Sequence, residues 1–375
     1  GTSQEGVSYT QRTIKNGLRV STAKAYLRPA KSRPNLHIIT RAHSTGVILE
    51  GKRAVGVRYD KGGNDGKPMT VRAKREVILC GGVINSPQLL QLSGIGSSNL
   101  LKSLGIEVKH ELPGVGENLR DHYAPRFTVR VKNSDTINER VRGFRLIKEI
   151  TEWVIFRRGV LTLVPTLVYC FWRSNPGISN TDLQMSFTPA SYKEGVQSQL
   201  DDFPGMTMAT WQQSPNSMGY VRVRSADPYE KPIIQPNYLT DEGDRRVLLA
   251  GMRIVRQLLS SKPLEPYYDH EVFPGKDVQS DDELLEAAKA RGTTTFHPMG
   301  TCRMGPSTDP TAVVDDQLKV YGLDGLRVAD ASIMPTMPAA NLNASCIMIG
   351  EKAADMILDR APMEPIITPE PGESM

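Results

Sequence analysis

The sequence predicts an α/β fold with α+β segments, a mosaic of the two classes. Residues 35–83 are rich in Val and Ile and are interrupted by turn residues, which is typical of consecutive strands. Residues 76–92 join an apolar run to a helical pattern through two glycines. Residues 241–259 carry apolar side chains at helical spacing. Strands and helices therefore alternate along the chain, which excludes an all-helical or all-strand domain.

The run 77–80 (VILC) is continuously apolar and ends at Gly81 and Gly82, which is typical of a strand buried on both faces of a parallel sheet. Ser86 and Pro87 then predict the start of a helix, because they match an N-cap residue followed by proline at the first helical position. Upstream, the segment 61–66 (KGGNDG) predicts a hairpin loop.

The middle of the chain, residues 120–290, is mixed in character. Residues 220–226 (YVRVRSA) predict a strand, and 241–259 predict a helix with Thr240 as its N-cap. The pattern assigns the buried face of that helix to Val247, Gly251, Ile254, Val255 and Leu258.

Near the end of the chain, residues 326–328 predict a short buried strand that leads to Asp330. The last helix is expected to have Asn343 or Ser345 as its cap. The tail 361–375 is rich in proline and lacks periodicity, so an extended or disordered end is predicted. The buried face of the last helix is predicted from Ile347, Ala354 and Leu358.

Composition sets broad bounds on function. The 375 residues include 46 Lys and Arg against 41 Asp and Glu, a net charge of +5, with the basic residues scattered. A nucleic-acid partner is not expected, because a phosphate-binding surface needs clustered cations. At about 100 to 200 residues per domain the length allows two or three domains.

The four cysteines are far apart and form no cluster with zinc spacing, so we expect neither a disulfide framework nor a metal site. The longest apolar run, 159–172, is shorter than the about 20 residues that cross a bilayer. It is interpreted as a buried segment, and no membrane span is expected.

Candidate chemistry centres on His297, which is followed by the small residues of HPMGTC. No G-x-S-x-G, P-loop, H-E-x-x-H or G-x-G-x-x-G motif is present. Asn343 precedes a helix whose first N–H groups favour an anionic ligand. Two plainer interpretations stay open: His297 as a structural or solvated histidine, and Asn343 as an ordinary N-cap.

Six motifs, taken in order, resemble the glucose-methanol-choline (GMC) family of flavoprotein alcohol oxidoreductases. The likeness extends over most of the chain and is greatest to the insect glucose dehydrogenase branch. The motifs are CGGVINSPQLLQLSGIG (80–96), LPGVGENLRDH (112–122), SADPYEKPIIQPNYL (225–239), FHPMGTCRMG (296–305), VVDDQLKVYGLDGLRVADASIMP (313–335) and NLNASCIMIGEKAADMI (341–357).

The resemblance implies an FAD enzyme that oxidises an alcohol or sugar by hydride transfer to flavin N5. It implies His297 as the base and Asn343 as the polar partner that holds the substrate oxygen. An imidazole suits the removal of a hydroxyl proton near neutral pH. The residues that the resemblance places at the cofactor are Ser44, Asp330, Ala331, Asn343 and Ala344.

The resemblance also implies four regions: 1–122 as the C-terminal part of a partial, Rossmann-like FAD-binding domain, 123–290 as a substrate domain, 291–360 as a return segment, and 361–375 as the tail. The substrate domain is expected to be an antiparallel sheet backed by helices, with 159–172 in its wall. The N-terminal fingerprint of the family is absent, so we expect the chain to be the C-terminal portion of a longer enzyme.

Two alternatives to the oxidoreductase remain. In the first, the chain is a catalytically incomplete fragment or an accessory binding module. In the second, it is a lyase on the same fold. The residues leave open whether electrons pass to oxygen or to a quinone-like acceptor. The resemblance favours an extracellular location.

Overall fold

The computed structural model describes residues 4–164, 166–194 and 199–364. The segment 365–375 of the predicted tail lies outside the described residues. The helices are, in chain order, α1 (Arg28–Ala30), α2 (Gly82–Leu92), α3 (Ser98–Ser103), α4 (Ile137–Arg140), α5 (Gly143–Phe156), α6 (Glu242–Leu259), α7 (Asp281–Arg291) and α8 (Asn343–Ile357).

Strands occur throughout the chain. They are β1 (Gly6–Tyr9), β2 (Ile14–Lys15), β3 (Leu18–Arg19), β4 (Ala42–Glu50), β5 (Arg53–Lys61), β6 (Lys67–Arg72), β7 (Val77–Leu79), β8 (Ile95–Gly96), β9 (His110–Glu111), β10 (Tyr123–Ala124), β11 (Arg126–Val131), β12 (Val168–Trp172), β13 (Leu183–Thr188), β14 (Gly205–Gln212), β15 (Tyr220–Arg222), β16 (Ile233–Gln235), β17 (Tyr268–Phe273), β18 (Thr293–Thr294) and β19 (Leu326–Val328).

The largest sheet is antiparallel, in the order β1-β12-β13-β14-β11-β17. Strand β11 alternates as a half-buried strand should, with Phe127 and Val129 in the core. Helix α6 covers the sheet and contributes Leu248, Met252 and Val255 to the same core. The predicted antiparallel sheet backed by helices is therefore present.

A parallel pair of strands, β7 and β19, leads to the second core of the molecule. Leu326 pairs with Val77 and Val328 pairs with Leu79. The predicted strand, glycine turn and helix at 76–92 are confirmed, as is the buried strand 326–328. The prediction of burial on both faces is wrong for Ile78, which is exposed in the middle of β7.

The predicted N-terminal strands and hairpin form from Ala42 onward, whereas residues 35–41 form no strand, so that part of the prediction is wrong. Strands β4, β5 and β6 make an antiparallel sheet, and the loop 62–66 joins β5 to β6. Strand β15 forms within the segment 220–226, as predicted.

Helix α2 begins earlier than its sequence predicted, at Gly82, and Pro87 lies inside it. A proline here removes a backbone donor from the helical ladder. The hydroxyl of Thr301 compensates, because its Oγ1 donates to the carbonyl of Val83 at 2.6 Å. The predicted start at Ser86 is therefore wrong. The Ser86 hydroxyl instead donates to the Asp330 carboxylate, which is described below.

The predicted caps of α6 and α8 are also corrected. Asp241, not Thr240, caps α6, because its carboxylate accepts from the backbone N–H of Asp244 at 3.0 Å. Helix α8 follows Leu342 and has no side-chain cap, so neither Asn343 nor Ser345 caps it.

The buried faces of both helices are rotated from the predicted ones. In α6, Leu248 and Leu259 are buried while Leu258 is exposed. In α8, the buried residues are Ile349 and Ala353, and the predicted Ala354 and Leu358 are exposed. The pattern located the helices but not the side of each that is buried.

The apolar run 159–172 is only partly buried, contrary to its interpretation as a buried segment. Val160 and Cys170 are buried, but Leu161, Leu163 and Val164 are exposed. Among the described residues, no helix has both the length and the apolar character needed to cross a membrane.

The predicted boundary at residue 122 does not separate the two cores cleanly. Strand β1 lies within the predicted region 1–122, yet it pairs with β12 at the edge of the large sheet. Strand β10 of the predicted substrate region pairs with β18 of the return segment. The chain therefore passes from one core to the other at β10 and returns at β18. The site lies beside this pair of strands.

Candidate active site

His297 lies just after β18 and is half-buried. Its backbone N–H donates to Asp121 Oδ1 at 3.0 Å. The other oxygen of Asp121 accepts from the Tyr238 hydroxyl at 2.5 Å and from Thr294 Oγ1. Phe296 has a positive φ of 61°, so the chain turns sharply before the histidine. This anchored turn fixes the backbone of His297.

His122 contacts His297 directly and is fully buried. Its Nε2 lies 2.8 Å from the carbonyl oxygen of Gln213. A carbonyl only accepts, so Nε2 of His122 carries the proton. Burial lowers the pKa of His122, so its ring is neutral and its Nδ1 holds a lone pair.

The two imidazoles meet through their Nδ1 atoms, 3.0 Å apart. Since Nδ1 of His122 can only accept, Nδ1 of His297 must donate. Thr295 Oγ1 lies 2.8 Å from the same nitrogen of His297. The neutral His297 ring therefore carries its proton on Nδ1 and has a lone pair on Nε2.

That lone pair faces Asn341, whose Nδ2 lies 3.0 Å from His297 Nε2. Gln184 Nε2 donates to Asn341 Oδ1 at 3.0 Å, which orients the amide with its NH₂ group toward His297. The Tyr169 hydroxyl lies 3.3 Å from the same Nδ2. A single run of hydrogen bonds thus connects the Gln213 carbonyl to Gln184 through both histidines.

Burial is the main cause that lowers the pKa of His297, and the neighbouring His122 lowers it further, to about 4. His297 is therefore neutral near pH 7 and can accept a proton at Nε2. The aromatic wall beside His122 contains Trp211, whose ring is perpendicular to that of Tyr169 at 6.3 Å between centroids. Trp211 Nε1 is buried and has no hydrogen-bond partner among the described residues.

The structure connects Asn341, and not the predicted Asn343, to His297. Asn343 is exposed in the first turn of α8, and no hydrogen bond joins it to His297 among the described residues. Its predicted role stays a prediction. The motif NLN offers two asparagines two positions apart, and nothing in the sequence distinguishes them.

Sequence reasoning also missed His122, Gln213 and Tyr169. His122 ends one of the six family motifs, LPGVGENLRDH, but the motif by itself assigns no role to this residue. Gln213 acts through its backbone carbonyl, which leaves no signal in side-chain identity.

A second group of polar contacts lies where β7 and β19 end. Asp330 Oδ2 accepts from the backbone N–H of Gly82 at 2.9 Å and from Ser86 Oγ at 2.6 Å. Asp330 Oδ1 accepts from the backbone N–H of Ser332 at 2.8 Å. The carboxylate ties the glycine turn to the segment that begins with Ala331. Ligands of open α/β sheets bind in the crevice at such carboxyl ends of parallel strands.

The remaining predicted cofactor residues form no hydrogen bond with that carboxylate in the described part of the chain. Asn343 and Ala344 form the exposed, uncapped start of α8, whose backbone N–H groups there are open to a ligand. Ser44 is exposed in β4, opposite Tyr59 of β5. The role of Ser44 stays a prediction.

Taken together, the fold and the site define an α/β protein with two hydrogen-bonded imidazoles beside an antiparallel sheet and a polar crevice at the carboxyl ends of a parallel strand pair. Residues 1–124 and 215–350 match the N-terminal and C-terminal profiles described as GMC oxidoreductase. The chain belongs to the GMC oxidoreductase family, and the resemblance of its motifs is confirmed.

Two curated relatives are choline dehydrogenases by name. The oxygen-dependent choline dehydrogenase of Brucella anthropi is 40% identical over 98% of this chain and 67% of its own length. The mitochondrial choline dehydrogenase of Mus musculus is 40% identical over 97% of this chain and 60% of its own. The chain thus spans about two thirds of the length of these relatives. The finer likeness to the insect glucose dehydrogenase branch stays a prediction.

Solved structures share the fold. A formate oxidase superposes with a TM-score of 0.85 at 27% identity, over 94% of this chain and 65% of its own. The pyridoxine 4-oxidase from Mesorbium loti gives a TM-score of 0.82 at 26% identity, over 96% of this chain and 66% of its own. The predicted fold class is therefore confirmed.

Proposed function

We propose that this chain carries the substrate-activating site of an FAD-dependent enzyme that oxidises a small-molecule alcohol, with His297 as the general base. One observation supports this proposal above the others. The hydrogen bonds from the Gln213 carbonyl through His122 leave His297 Nε2 unprotonated, on the side that faces Asn341. A neutral imidazole with its lone pair in a half-buried site is the form that accepts a hydroxyl proton.

In the proposed reaction the alcohol loses a proton and a hydride. The hydroxyl proton passes to His297 Nε2, and the O–H electron pair forms the carbonyl bond. Bound FAD supplies the acceptor for the hydride that leaves the carbinol carbon. The imidazolium that forms keeps its Nδ1–H bond to neutral His122, so the first proton does not move.

Asn341 has the positioning role that the resemblance assigned to Asn343. Its NH₂ group already points at the lone pair of His297. A substrate oxygen that replaced this direct contact would accept from Asn341 Nδ2 while its own proton points to His297 Nε2. Because Gln184 holds the amide in this orientation, the donor is set before substrate binds.

The chain fits FAD at the crevice beyond the carboxyl ends of β7 and β19. Asp330 is satisfied by three donors of the protein, so it orders the Ala331 segment rather than meeting phosphate itself. The buried hydroxyl of Ser332 interacts with the thiol of Cys302 and is therefore engaged within the protein. The start of α8, at Asn343 and Ala344, would stabilise a negatively charged group of the cofactor.

The substrate is proposed as a small alcohol or sugar. Choline is the first candidate, because relatives that are 40% identical are named choline dehydrogenases. The electron acceptor is proposed as oxygen or a quinone-like compound.

Anaerobic addition of choline, glucose and simple alcohols to the FAD-loaded protein tests the proposal through the visible absorption of the flavin. We expect one class of alcohol to bleach the flavin and yield the matching carbonyl product. Failure to take up FAD would favour the incomplete fragment or accessory module. Product formation from FAD-loaded protein without bleaching would favour the lyase.

A further inference from the structure

Helix α5 has its apolar and acidic sides reversed from those of an ordinary surface helix. Its outward side chains include Phe144, Ile147 and Ile155, which are 92%, 59% and 63% exposed. Its acids point inward: Glu149 is buried and accepts from the backbone N–H of Val160 at 3.0 Å. A surface helix of a soluble domain normally buries the apolar side and exposes the acids.

The apolar face extends beyond the helix. Ile150, Val154 and Phe156 are also exposed, and Leu161 and Leu163 follow in the next turn. A contiguous exposed patch of aromatic and aliphatic side chains marks a contact surface, whereas isolated exposed residues do not. We call these residues of α5, together with Leu161 and Leu163, the α5 face.

Basic residues border the C-terminal end of the α5 face. Arg157 and Arg158 end the helix, and their guanidinium groups lie over the rings of Trp153 and Phe156, at 5.2 and 4.8 Å from the centroids. Lys148 is exposed on the outward side. Among the described residues, no ion pair joins these three cations to a carboxylate.

The β2–β3 hairpin adds two more cations at the same end. Trp153 Nε1 donates to the backbone carbonyl of Gly17 at 3.2 Å, which seats the hairpin against the helix. Lys15 and Arg19 of this hairpin are exposed, and in the described part of the chain neither forms an ion pair. The rim of the α5 face is therefore positively charged.

We propose that the α5 face binds an anionic membrane surface. The apolar side chains would enter the boundary between headgroups and acyl chains, while the basic rim meets lipid phosphates, as in other interfacial helices. A second copy of the chain fits less well. Two such faces in contact would bring the cationic rims together without an acid on either face to neutralise them.

The proposal goes beyond the proposed oxidation, and its test needs neither FAD nor substrate. The purified chain is sedimented with vesicles of phosphatidylcholine alone and of phosphatidylcholine mixed with phosphatidylserine. We expect binding to the mixed vesicles that weakens at high salt, because exposed charges are screened. Circular dichroism checks that every variant is folded.

Two variants separate the apolar and charged contributions. Phe144→Glu combined with Ile155→Glu should abolish binding to both kinds of vesicle. Arg157→Gln combined with Arg158→Gln should weaken only the phosphatidylserine-dependent part, by about fivefold for each charge. Val71→Glu, on the exposed strand β6 of a different sheet, is the matched control and should bind like the parent chain.

Three results would overturn the proposal. One is absence of sedimentation with the mixed vesicles, and another is unchanged binding by the Phe144→Glu, Ile155→Glu variant. The third is a dimer in size-exclusion chromatography that this variant converts to a monomer, because the face would then belong to a second copy.

Discussion

The Nδ1 atoms of His122 and His297 lie 3.0 Å apart, and only the His297 nitrogen can be the donor. The reason lies further along the chain, in the Gln213 carbonyl, which accepts a hydrogen bond from the one ring N–H of neutral His122. A backbone group therefore sets which nitrogen of the proposed base is free. Three of the predictions below follow from this arrangement.

His297→Asn should reduce kcat of the FAD-loaded enzyme by roughly 10² to 10⁴, the usual contribution of a general base. Flavin content should not change, because the cofactor crevice is formed by other residues. His270→Asn, at an exposed histidine of β17 outside the network, is the matched control. Nearly full turnover by the His297 variant would remove that residue from the role of base.

His122→Phe should reduce kcat about tenfold or more, with a smaller change in KM, because His122 positions His297 without touching substrate. The acidic limb of the pH profile should move to higher pH, because His122 is one cause of the lowered pKa of His297. His122→Asn keeps an acceptor near the place of Nδ1 and should recover part of the rate. If both variants lost kcat equally and the acidic limb of the pH profile did not move, His122 would contribute only to packing.

Asn341→Leu should impair turnover more strongly than Asn343→Leu, because Asn341 contacts His297 and Asn343 does not. Asn341→Asp should raise the pKa of His297, since a nearby carboxylate favours the imidazolium. The acidic limb of kcat/KM should then move toward neutral pH. The reverse ranking of the two leucine variants would restore Asn343 as the partner.

The free energy of unfolding should decrease as the pH falls from 6.5 to about 4. His297 binds a proton near 6.5 when unfolded but only near 4 when folded, so the unfolded state binds more protons in this range. His297 lowers the free energy of unfolding by at most about 3 kcal/mol in this range. Above the pKa of the unfolded state it causes no loss. His122 acts in the same direction.

Urea denaturation at a series of pH values measures this loss. His297→Asn should flatten the dependence between these limits. An equally steep dependence in the His297 variant would show that its pKa is not lowered in the folded protein.

The sequence predicted elements well where the local pattern is complete. The glycine turn after β7, the strand β19 and helices α6 and α8 were located from apolar runs and breakers alone. Caps and buried faces were misplaced because tertiary contacts decide them. Thr301 supports the Val83 carbonyl, for example, and so allows Pro87 within α2. No local pattern contains that contact.

The sequence indicated only part of the hydrogen-bond network around His297. His297 could be found from its surroundings and from the family motif, and the adjacent helix start indicated a polar partner. The choice between Asn341 and Asn343 depends on where the chain enters α8. The Gln213 carbonyl could not be found at all, since any residue would supply the same group. Electrostatic details of this kind arise only when distant segments meet.

The most direct test of the central claim is the protonation of His297 itself, read from the ¹⁵N chemical shifts of its ring in histidine-labelled protein. The His297→Asn spectrum assigns the signals by their loss. We expect a neutral ring near pH 7 with the proton on Nδ1 and an unprotonated Nε2. Near pH 7, either the neutral ring with its proton on Nε2 or the imidazolium would contradict the assignment of His297 as the general base.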